Sequence, residues 1–481
     1  MLRDIGQLTA RPFDLLVVGG GVYGLIVAYD AAQRGLSVAL IEARDFGSAS
    51  SFNHHRTIHG GLRYLQTLDI ARARESILER RSFARVAPSA VRAVPFVLPL
   101  QASLMRGKLA MRAGFLVDRY VGRDRNLDIP ASLRLPPGEV LGRDAAVERF
   151  PALAGVPLDG VAVWHDYVTT DADRLTLAWG LAAAAYGAVL ANYVEATALT
   201  IEGGRATGVT ATDTVGNHRL DIRARVVVNA TGASIDRLLS PAAIATGLPM
   251  LKAMNFVTRL DALPHALGGR ARSGRNLFMV PWKGRALFGT WESAQRSDPD
   301  DRRPHSSDID SFLEDVNQAF PSAALTRQDI TLVHRGVVPA AVRRDGRVSL
   351  EGHDQVHDHA RRGIEGLISV AGTKYTTARA VAERVTDRVV SKLGRAVSAC
   401  RTATTPLPLP TLVGHALMAH AVKEEMVVTL EDAVVRRTPL GALGYPGDEA
   451  IAHAAGIVGT ALGWTEEKQK RESEALRRFY D

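Results

Sequence analysis

The chain has 481 residues, 46% apolar and 23% charged, with a net charge of +8 and 59 Lys and Arg against 51 Asp and Glu. This balance excludes wholesale disorder, and the length predicts two or three domains. The single cysteine, Cys400, excludes an internal disulfide framework and a cysteine-based metal site.

The first predicted element is a βαβ unit. The segment FDLLVVGGGVYG, from Phe13, has the pattern of a buried strand that runs into a glycine turn. A helix over LIVAYDAAQRG then ends at Gly35, and LSVALIEA is a second buried strand. The residues before Phe13 contain no apolar signal core, and no segment has the pattern of a transmembrane helix. The unit has the length of a nucleotide-binding half-domain.

The glycine turn predicts a dinucleotide site. Gly19, Gly21 and Gly24 form G-x-G-x-x-G, in which the glycines permit the turn, the approach of a pyrophosphate and close helix packing. The following helix offers free N–H groups and a partial positive charge to phosphates. Glu42 ends the second strand 18 residues after Gly24, close to the offset of about 20 expected for a ribose-binding acid.

Two later segments repeat the strand-and-turn pattern. They are Ala224–Ala233 (ARVVVNATGA) and Gly366–Val385, and with the first unit they predict one discontinuous nucleotide domain. Because a nicotinamide enzyme usually keeps this domain contiguous, the late turn favours FAD. The second nucleotide contact is expected at Ala230, Thr231 and Gly232.

The intervening residues predict further domains. Residues 65–150 have mostly the pattern of helix and loop, whereas 250–340 contain short alternating segments typical of an antiparallel sheet. Thr404–Pro410 is a stiff linker before a helical tail. We therefore predict an α/β fold with a Rossmann-like FAD-binding domain, an inserted antiparallel-sheet substrate domain and a small helical C-terminal domain. The predicted bounds are 1–95, 150–250 and 345–403 for the FAD domain, 96–149 and 251–344 for the substrate (cap) domain, and 411–481 for the helical domain.

A resemblance to a known family rests on Ser50–Leu65, SSFNHHRTIHGGLRYL. It resembles the I-H-G-G-L-R-Y-L signature of FAD-dependent glycerol-3-phosphate dehydrogenases, the respiratory, membrane-associated type. The resemblance covers most of the chain, including Thr169–Leu175, Val280–Thr290, Gly372–Arg379 and Leu430–Thr438. The last of these is typical of the family's helical C-terminal domain, which we expect to be shortened at its start.

The resemblance implies hydride transfer from a secondary alcohol to the flavin N5, with electrons passed to a quinone or, in an oxidase branch, to oxygen. It implies that the flavin is lined by Ser50, Ser51, His59, Gly60, Gly61, Gly372, Thr373, Lys374 and Thr376. It also implies that Arg63, Tyr64 and Lys374 face the substrate. Arg and Lys suit a phosphate or carboxylate, and a nearby cation stabilises the anionic reduced ring.

Three departures from the family pattern fall in the substrate region. The family's K-G-S-H is Lys252–Asn255 here, its G-V-R-P is Gly336–Pro339 with Val338 in place of arginine, and the arginine expected near Ser349–Leu350 is absent. Each lost charge-assisted bond removes ~1.5–3 kcal/mol of binding. The substrate expected is therefore glycerol 3-phosphate or a related anion, with Lys252 and Arg335 as further substrate cations. An alternative function is an FAD-dependent oxidase or dehydrogenase of an amine, an amino acid or a hydroxy acid. A third possibility, from another class, is a non-catalytic flavin-binding or assembly protein.

The proton acceptor is left open among several groups. The catalytic candidates are Arg63, Lys374, His59 and His334, with His165 as another histidine in the inserted regions. Lys374 can act if desolvation lowers its pKa. His54 and His55 replace small hydroxyl residues, and the alternatives are polar loop residues or a histidine covalently bound to the flavin. We expect no metal.

Arginine clusters at Arg72–Arg85, Arg106–Arg125 and Arg343–Arg362 fit solvated surface, an anionic substrate or the anionic face of a membrane. The expected partners are an anionic small molecule, a quinone or other electron acceptor, a membrane surface and a second copy of the chain. Nucleic acid is not expected, because no zinc-finger, basic-zipper or RNA-binding signature occurs. The expected location is the cytoplasm, with peripheral contact at the inner face of the cytoplasmic membrane as a further expectation.

Overall fold

The computed structural model describes residues 1–65, 68–101 and 107–480. Arg106, the first residue of the second arginine cluster, lies outside the described residues. The strands are β1 (Phe13–Val18), β2 (Val38–Ile41), β3 (Thr57–Ile58), β4 (Val91–Leu100), β5 (Glu139–Gly142), β6 (Gly160–Thr169), β7 (Val189–Ala191), β8 (Val194–Glu202), β9 (Arg205–Asp213), β10 (His218–Asn229), β11 (Met250–Asp261), β12 (Ala266–Arg270), β13 (Asn276–Trp282), β14 (Arg285–Glu292), β15 (Ile330–Val342), β16 (Val348–Leu350), β17 (Gln355–Asp358) and β18 (Leu367–Ala371). The helices are α1 (Ile5–Thr9), α2 (Val22–Gln33), α3 (Leu62–Leu65), α4 (Ile70–Val86), α5 (Lys108–Val121), α6 (Arg143–Arg149), α7 (Ala172–Ala185), α8 (Ile235–Leu239), α9 (Ser306–Ala319), α10 (Ala378–Leu393), α11 (Gly414–Glu424), α12 (Asp448–Leu462) and α13 (Glu466–Tyr480).

The first sheet has the strand order β17-β18-β10-β1-β2-β7, and β18, β10, β1, β2 and β7 run parallel. These strands are nearly continuous apolar runs because both faces of a parallel sheet are covered. Helix α2 packs between α7 and α10 on one face. The first half of the long strand β10 pairs with β9, and the second half pairs with β1. This is the discontinuous Rossmann-like domain that the sequence predicts.

The second sheet has the order β16-β15-β11-β14-β13-β12-β4-β6-β3, with β5 beside β6. Its pairs are antiparallel except for β12 with β4, as predicted for residues 250–340. Helix α9 covers one face, where the Phe312 ring centroid lies 4.2 Å from that of Phe256. The opposite face contacts the segment 50–56, because Asn53 Nδ2 donates to the Ala253 oxygen at 2.7 Å and His55 Nε2 lies 3.3 Å from the Leu287 oxygen.

The domain boundaries at 95 and 150 stay predictions, although strand β4 crosses the first of them. The predicted bounds assign β6 to the nucleotide domain, but β6 pairs over ten positions with β4 in the second sheet. β4 itself lies where helix and loop were expected. The strand pattern is local, whereas the choice of sheet depends on a partner 60 to 78 residues away, which periodicity does not encode.

The C-terminal helices α11, α12 and α13 pack with a π-helical turn, Asp432–Arg437, against the second sheet. A buried ion network joins this unit to the nucleotide domain, because Asp45 accepts two bonds from Arg437 at 2.7 Å and one from Arg436 at 2.6 Å. The proline-rich linker lies on the nucleotide domain, where the Leu407 N–H donates to the Val86 oxygen at 2.7 Å. Across the described ranges, no helix is both long and apolar enough to cross a membrane.

Candidate functional site

The glycine turn after β1 is packed so closely that side chains do not fit. Gly19 has φ 110°, and a Cβ there would lie 2.5 Å from the Ala230 oxygen. A Cβ on Gly24 would collide with the Gly19 carbonyl oxygen. At the start of α2 the Val22 N–H donates to Ser51 Oγ at 2.9 Å. The turn therefore places a helix N-terminus beside Ser51, an arrangement suited to phosphate.

Glu42 is held at the end of β2. Its carboxylate accepts bonds from the N–H groups of Gly20 at 2.6 Å and Arg44 at 2.9 Å. Burial raises the pKa of Glu42, and these two backbone bonds oppose that shift. The carboxylate is fixed at the second strand, where a ribose-binding acid is expected.

A cavity of about 740 Å³ opens from this turn, within the range of small-molecule and cofactor sites. Its walls include eight of the predicted cofactor residues, which are Gly19, Gly21, Glu42, Ser50, Ser51, Ala230, Thr231 and Gly232. Gly24 lies behind Gly19 and sets the helix spacing. The glycine turn, the fixed acid and a cavity of this size fit FAD, and these residues would hold the cofactor.

A second group of predicted residues meets where β3 and α3 face the loop before α10. The His59 N–H donates to Thr376 Oγ1 at 3.3 Å. The Gly60 N–H donates to Asp166 Oδ1 at 2.7 Å, and Asp166 also pairs with Arg80. The Ser76 side chain lies against Gly61, and Tyr23 OH, which lies against Gly372, donates to the Lys374 oxygen at 2.9 Å.

Lys374 stands among aromatic and cationic side chains. Its Nζ donates to the Gly352 oxygen at 2.8 Å and lies 4.4 Å from the Tyr64 ring centroid. The Arg72 guanidinium lies 5.0 Å from the same ring. Burial, together with the charges of Arg72 and Arg63, lowers the pKa of Lys374 to about 8, against the opposing carboxylate of Glu75. A cavity of about 360 Å³ borders Lys374, Arg72 and Thr373.

His59 lies close enough to Lys374 and Arg63 for their charges to affect its protonation. Burial lowers the pKa of His59, and the charges of Lys374 and Arg63 lower it further, while Asp166 opposes them. The imidazole is therefore neutral near pH 7. Arg63 is exposed on α3. The predicted flavin-binding and substrate-binding residues of segments 59–64 and 372–376 therefore lie next to one another.

Two predicted substrate residues, Lys252 and Arg335, lie elsewhere. Lys252 Nζ pairs with Asp301 at 2.6 Å and donates to the Arg303 oxygen at 3.1 Å, so its charge is committed beside α9. Arg335 donates to the Phe479 oxygen at 3.2 Å, at the end of the last helix.

His334, His54 and His165 lie apart from the group around Lys374. The His334 Nε2 lies 3.0 Å from Arg56 Nη2, inside the protein. The His54 ring stacks on Tyr375 at 4.4 Å, and its two nitrogens are buried without a partner. The His165 ring is part of β6, and burial lowers its pKa.

No motif or spacing in the sequence singles out Glu292. This residue ends β14, accepts a long bond from the Leu350 N–H at 3.4 Å, and is near enough to Arg275 and Arg63 for both to lower its pKa against the upward effect of burial. Beside it, the positions of the family departures meet in one apolar cluster. The cluster consists of Leu251, Ala253, Val338, Ala340, Val348 and Leu350. Its members come from three strands, so only the folded sheet brings them together.

Comparisons with known proteins agree with this architecture. A family model described as FAD dependent oxidoreductase matches residues 14–388, and one described as C-terminal domain of alpha-glycerophosphate oxidase matches 363–469. The chain is 30% identical to a glycerol-3-phosphate dehydrogenase of Synechocystis sp. over 85% of this chain and 75% of that protein. It is 34% identical to one of Mycobacterium leprae over 79% of this chain and 63% of that protein. The solved glycerol-3-phosphate dehydrogenase of Bacillus halodurans, complexed with FAD, has 24% identity and a TM-score of 0.73, covering 99% of this chain and 96% of that one.

The parallel sheet, the glycine turn and the cavity are those of an FAD-dependent oxidoreductase. FAD is its cofactor. Within that class, the chain belongs to the glycerol-3-phosphate dehydrogenase family.

Proposed function

We propose that the protein oxidises a secondary alcohol that carries an anionic group, with glycerol 3-phosphate as the first substrate to test. The observation that carries this proposal is the group of three cations, Arg63, Arg72 and Lys374, around Tyr64 and beside His59. Several guanidinium and ammonium donors at one place suit a phosphate or carboxylate. Bound FAD supplies the hydride acceptor, its N5 atom.

The protein side chains divide the remaining work. Arg63 and protonated Lys374 bind the anionic group and orient the alcohol carbon. His59, neutral near pH 7, accepts the hydroxyl proton as the C–H hydride leaves, so the alcohol becomes a ketone. Gly60 and Gly61 bring the backbone beside His59, and Asp166 fixes Gly60.

The test is an anaerobic titration of the purified holoenzyme with glycerol 3-phosphate, read as bleaching of the visible flavin absorbance. Bleaching at modest concentrations supports the proposal. If the flavin stays oxidised and dithionite still bleaches it, glycerol 3-phosphate is not the substrate.

A second candidate is an amino acid or 2-hydroxy acid with an apolar side chain. It is favoured by the apolar cluster of Leu251, Ala253, Val338, Ala340, Val348 and Leu350, beside Glu292. A pocket with fewer cations suits a substrate with a single carboxylate, whose ammonium or hydroxyl group would pair with the half-buried carboxylate of Glu292. Titration of the same holoenzyme with 2-hydroxy acids and amino acids separates the two candidates.

We further propose a quinone as electron acceptor, reached at a membrane surface. Helix α5 supports this contact, because Leu109, Leu116 and Tyr120 are 75%, 69% and 73% exposed on one face. The cations flanking that face are Lys108, Arg112, Arg119 and Arg123. Exposed apolar residues bordered by Lys and Arg are typical of a helix lying in an anionic membrane interface.

Flotation with vesicles of anionic phospholipid tests the membrane contact. The triple change of Leu109, Leu116 and Tyr120 to serine is expected to abolish binding, while Val413→Ser, which alters a residue 78% exposed elsewhere, leaves it intact. Equal vesicle binding by the unaltered protein, the triple serine variant and Val413→Ser would contradict the assignment of the membrane contact to α5.

Reduction of a soluble quinone by the substrate-reduced enzyme tests whether a quinone is the electron acceptor. A homodimer stays a prediction, which light scattering can check.

A further inference from the structure

The last helix forms a wall of the cofactor cavity. Glu472, Ala475, Leu476 and Phe479 line it from α13, at spacings of three, four and seven residues that place them on one helical face. The glycine turn and Glu42 line the same cavity. Residues from both ends of the chain therefore enclose one space.

Helix α13 is anchored along this face. The Glu472 carboxylate accepts a bond from the Leu430 N–H at 3.0 Å, and Leu476 is 1% exposed in the core of the C-terminal domain. The Tyr480 hydroxyl donates to the Gly441 oxygen at 3.0 Å. Phe479 meets Phe52 edge-on, with ring centroids 5.9 Å apart. Phe52 follows Ser50 and Ser51 directly, so the helix touches the segment that leads from the dinucleotide turn toward the flavin.

Arg335 ties the helix to the substrate sheet. From β15 its guanidinium donates to the Phe479 oxygen at 3.2 Å and lies 5.7 Å from the Phe479 ring. A cation at a helix C-terminus satisfies free carbonyl groups and is favoured by the helix dipole. Arg335, which the sequence analysis predicts to bind the substrate, thus holds the last helix in position.

The lining of the cavity includes several arginines as well as the carboxylates of Glu42, Glu431 and Glu472. Arg302, Arg303, Arg335 and Arg478 all line it. Burial and the nearby Arg303 lower the pKa of Arg335, a sign of like charges held close together. FAD carries a doubly negative pyrophosphate, so its binding relieves this repulsion.

We propose that α13 is part of the FAD site, with Arg478 and Phe479 contacting the cofactor. Bound FAD and the docked helix then stabilise each other, because a ligand stabilises the state that binds it. FAD retention becomes a property of the last 15 residues of the described chain as well as of the glycine turn.

Point variants of the full-length holoenzyme test this proposal. Arg478→Ala and Phe479→Ala are each expected to raise the FAD dissociation constant roughly tenfold, the effect of losing one strong contact. Flavin fluorescence on dilution reports the release. Arg477→Ala is the matched control, because Arg477 is on the same helix but pairs with Asp448 outside the cavity. Its FAD affinity is expected to equal that of the unaltered protein.

Proteolysis gives a second readout that does not depend on any side-chain change. Trypsin sites on α13 include Lys468, Lys470, Arg471, Arg477 and Arg478. FAD is expected to slow cleavage there relative to the apoprotein. Unchanged FAD affinity in both cavity-facing variants, or cleavage of α13 at the same rate with and without FAD, overturns the proposal. An equal loss of affinity in Arg477→Ala also overturns it. All these measurements read FAD binding and are independent of the substrate.

Discussion

The Nη2 atom of Arg56 lies 3.0 Å from Nε2 of His334, and both side chains are fully buried. Arg56 also lies 3.4 Å from Asp173 and over the Trp282 ring at 4.9 Å. Because a guanidinium is a donor only, Nε2 of His334 is the acceptor and the ring proton is on Nδ1. Burial and the charge of Arg56 hold the pKa of His334 well below its usual value. The lone pair that a catalytic base needs is thus already used.

Two substitutions at His334 separate a structural from a catalytic role. His334→Gln retains an acceptor for Arg56, whereas His334→Leu leaves a buried N–H unpaired, which costs about 1–3 kcal/mol. We expect urea unfolding to show a clear loss of stability for the leucine variant only, with turnover of the glutamine variant largely retained. A glutamine variant that folds normally but turns over about 100-fold more slowly would restore His334 as the base.

The nucleotide half of the fold is predictable because its signals are local. Gly19, Gly21 and Gly24 are specified by a turn that tolerates no Cβ, and Glu42 follows at the distance that one helix and one strand require. The apolar runs of β1, β2 and β10 identify buried parallel strands before any contact is known. The structure confirms their pairing in one sheet.

The substrate half is less predictable because its residues depend on distant partners. Lys252 has the charge that a substrate site needs, but Asp301 takes it up. Arg335 is engaged by a helix nearly 150 residues later in the chain. Glu292 has no distinguishing neighbours in sequence, and its place beside Arg63 arises only from the packing of β14. The sequence shows which residues carry a charge, whereas the partner of each charge is set by the tertiary structure.

The ion network at Asp45 predicts how the C-terminal domain is held. Asp45→Asn leaves the buried guanidinium groups of Arg436 and Arg437 short of their partner, so we expect a loss of about 3–5 kcal/mol in the free energy of unfolding. Asp448→Asn, which alters an exposed pair with Arg477, is expected to leave the free energy of unfolding nearly unchanged, because solvent screens that pair. Denaturant titration of both variants makes the comparison, and equal losses would contradict the role of the network.

The same network predicts acid sensitivity. Burial alone would raise the pKa of Asp45, but Arg437 and Arg436 lower it to about 2. Since the unfolded value is about 4, the stabilisation is complete above about pH 4 and is lost as pH falls toward 2. Unfolding of the unaltered protein should therefore show a steeper pH dependence between about 4 and 2 than unfolding of Asp45→Asn. Parallel curves would count against this assignment.

Lys374 predicts the pH dependence of substrate binding. Its pKa of about 8 means that the ammonium is present below that pH and is lost above it. The dissociation constant of an anionic substrate should be constant below about pH 8 and rise by about tenfold per pH unit above it. Lys374→Arg, whose charge persists beyond pH 12, should abolish this rise. Flavin spectral titrations from neutral to alkaline pH measure the constant, and a rise that persists in the arginine variant assigns it to another group.

The close packing at Gly24 predicts that no side chain is tolerated in the glycine turn. A methyl group there collides with the Gly19 carbonyl oxygen, so Gly24→Ala forces α2 away from β1 and opens the turn that the pyrophosphate needs. Gly456, in the interior of α12, has open space around the position of a Cβ. There, an alanine should add about 0.5–1 kcal/mol of stability by restricting the unfolded chain. We expect Gly24→Ala to be purified with little flavin and Gly456→Ala with a full complement, as read from the ratio of visible to ultraviolet absorbance. Full flavin in Gly24→Ala would mean that β1 and α2 can separate without disturbing the dinucleotide site.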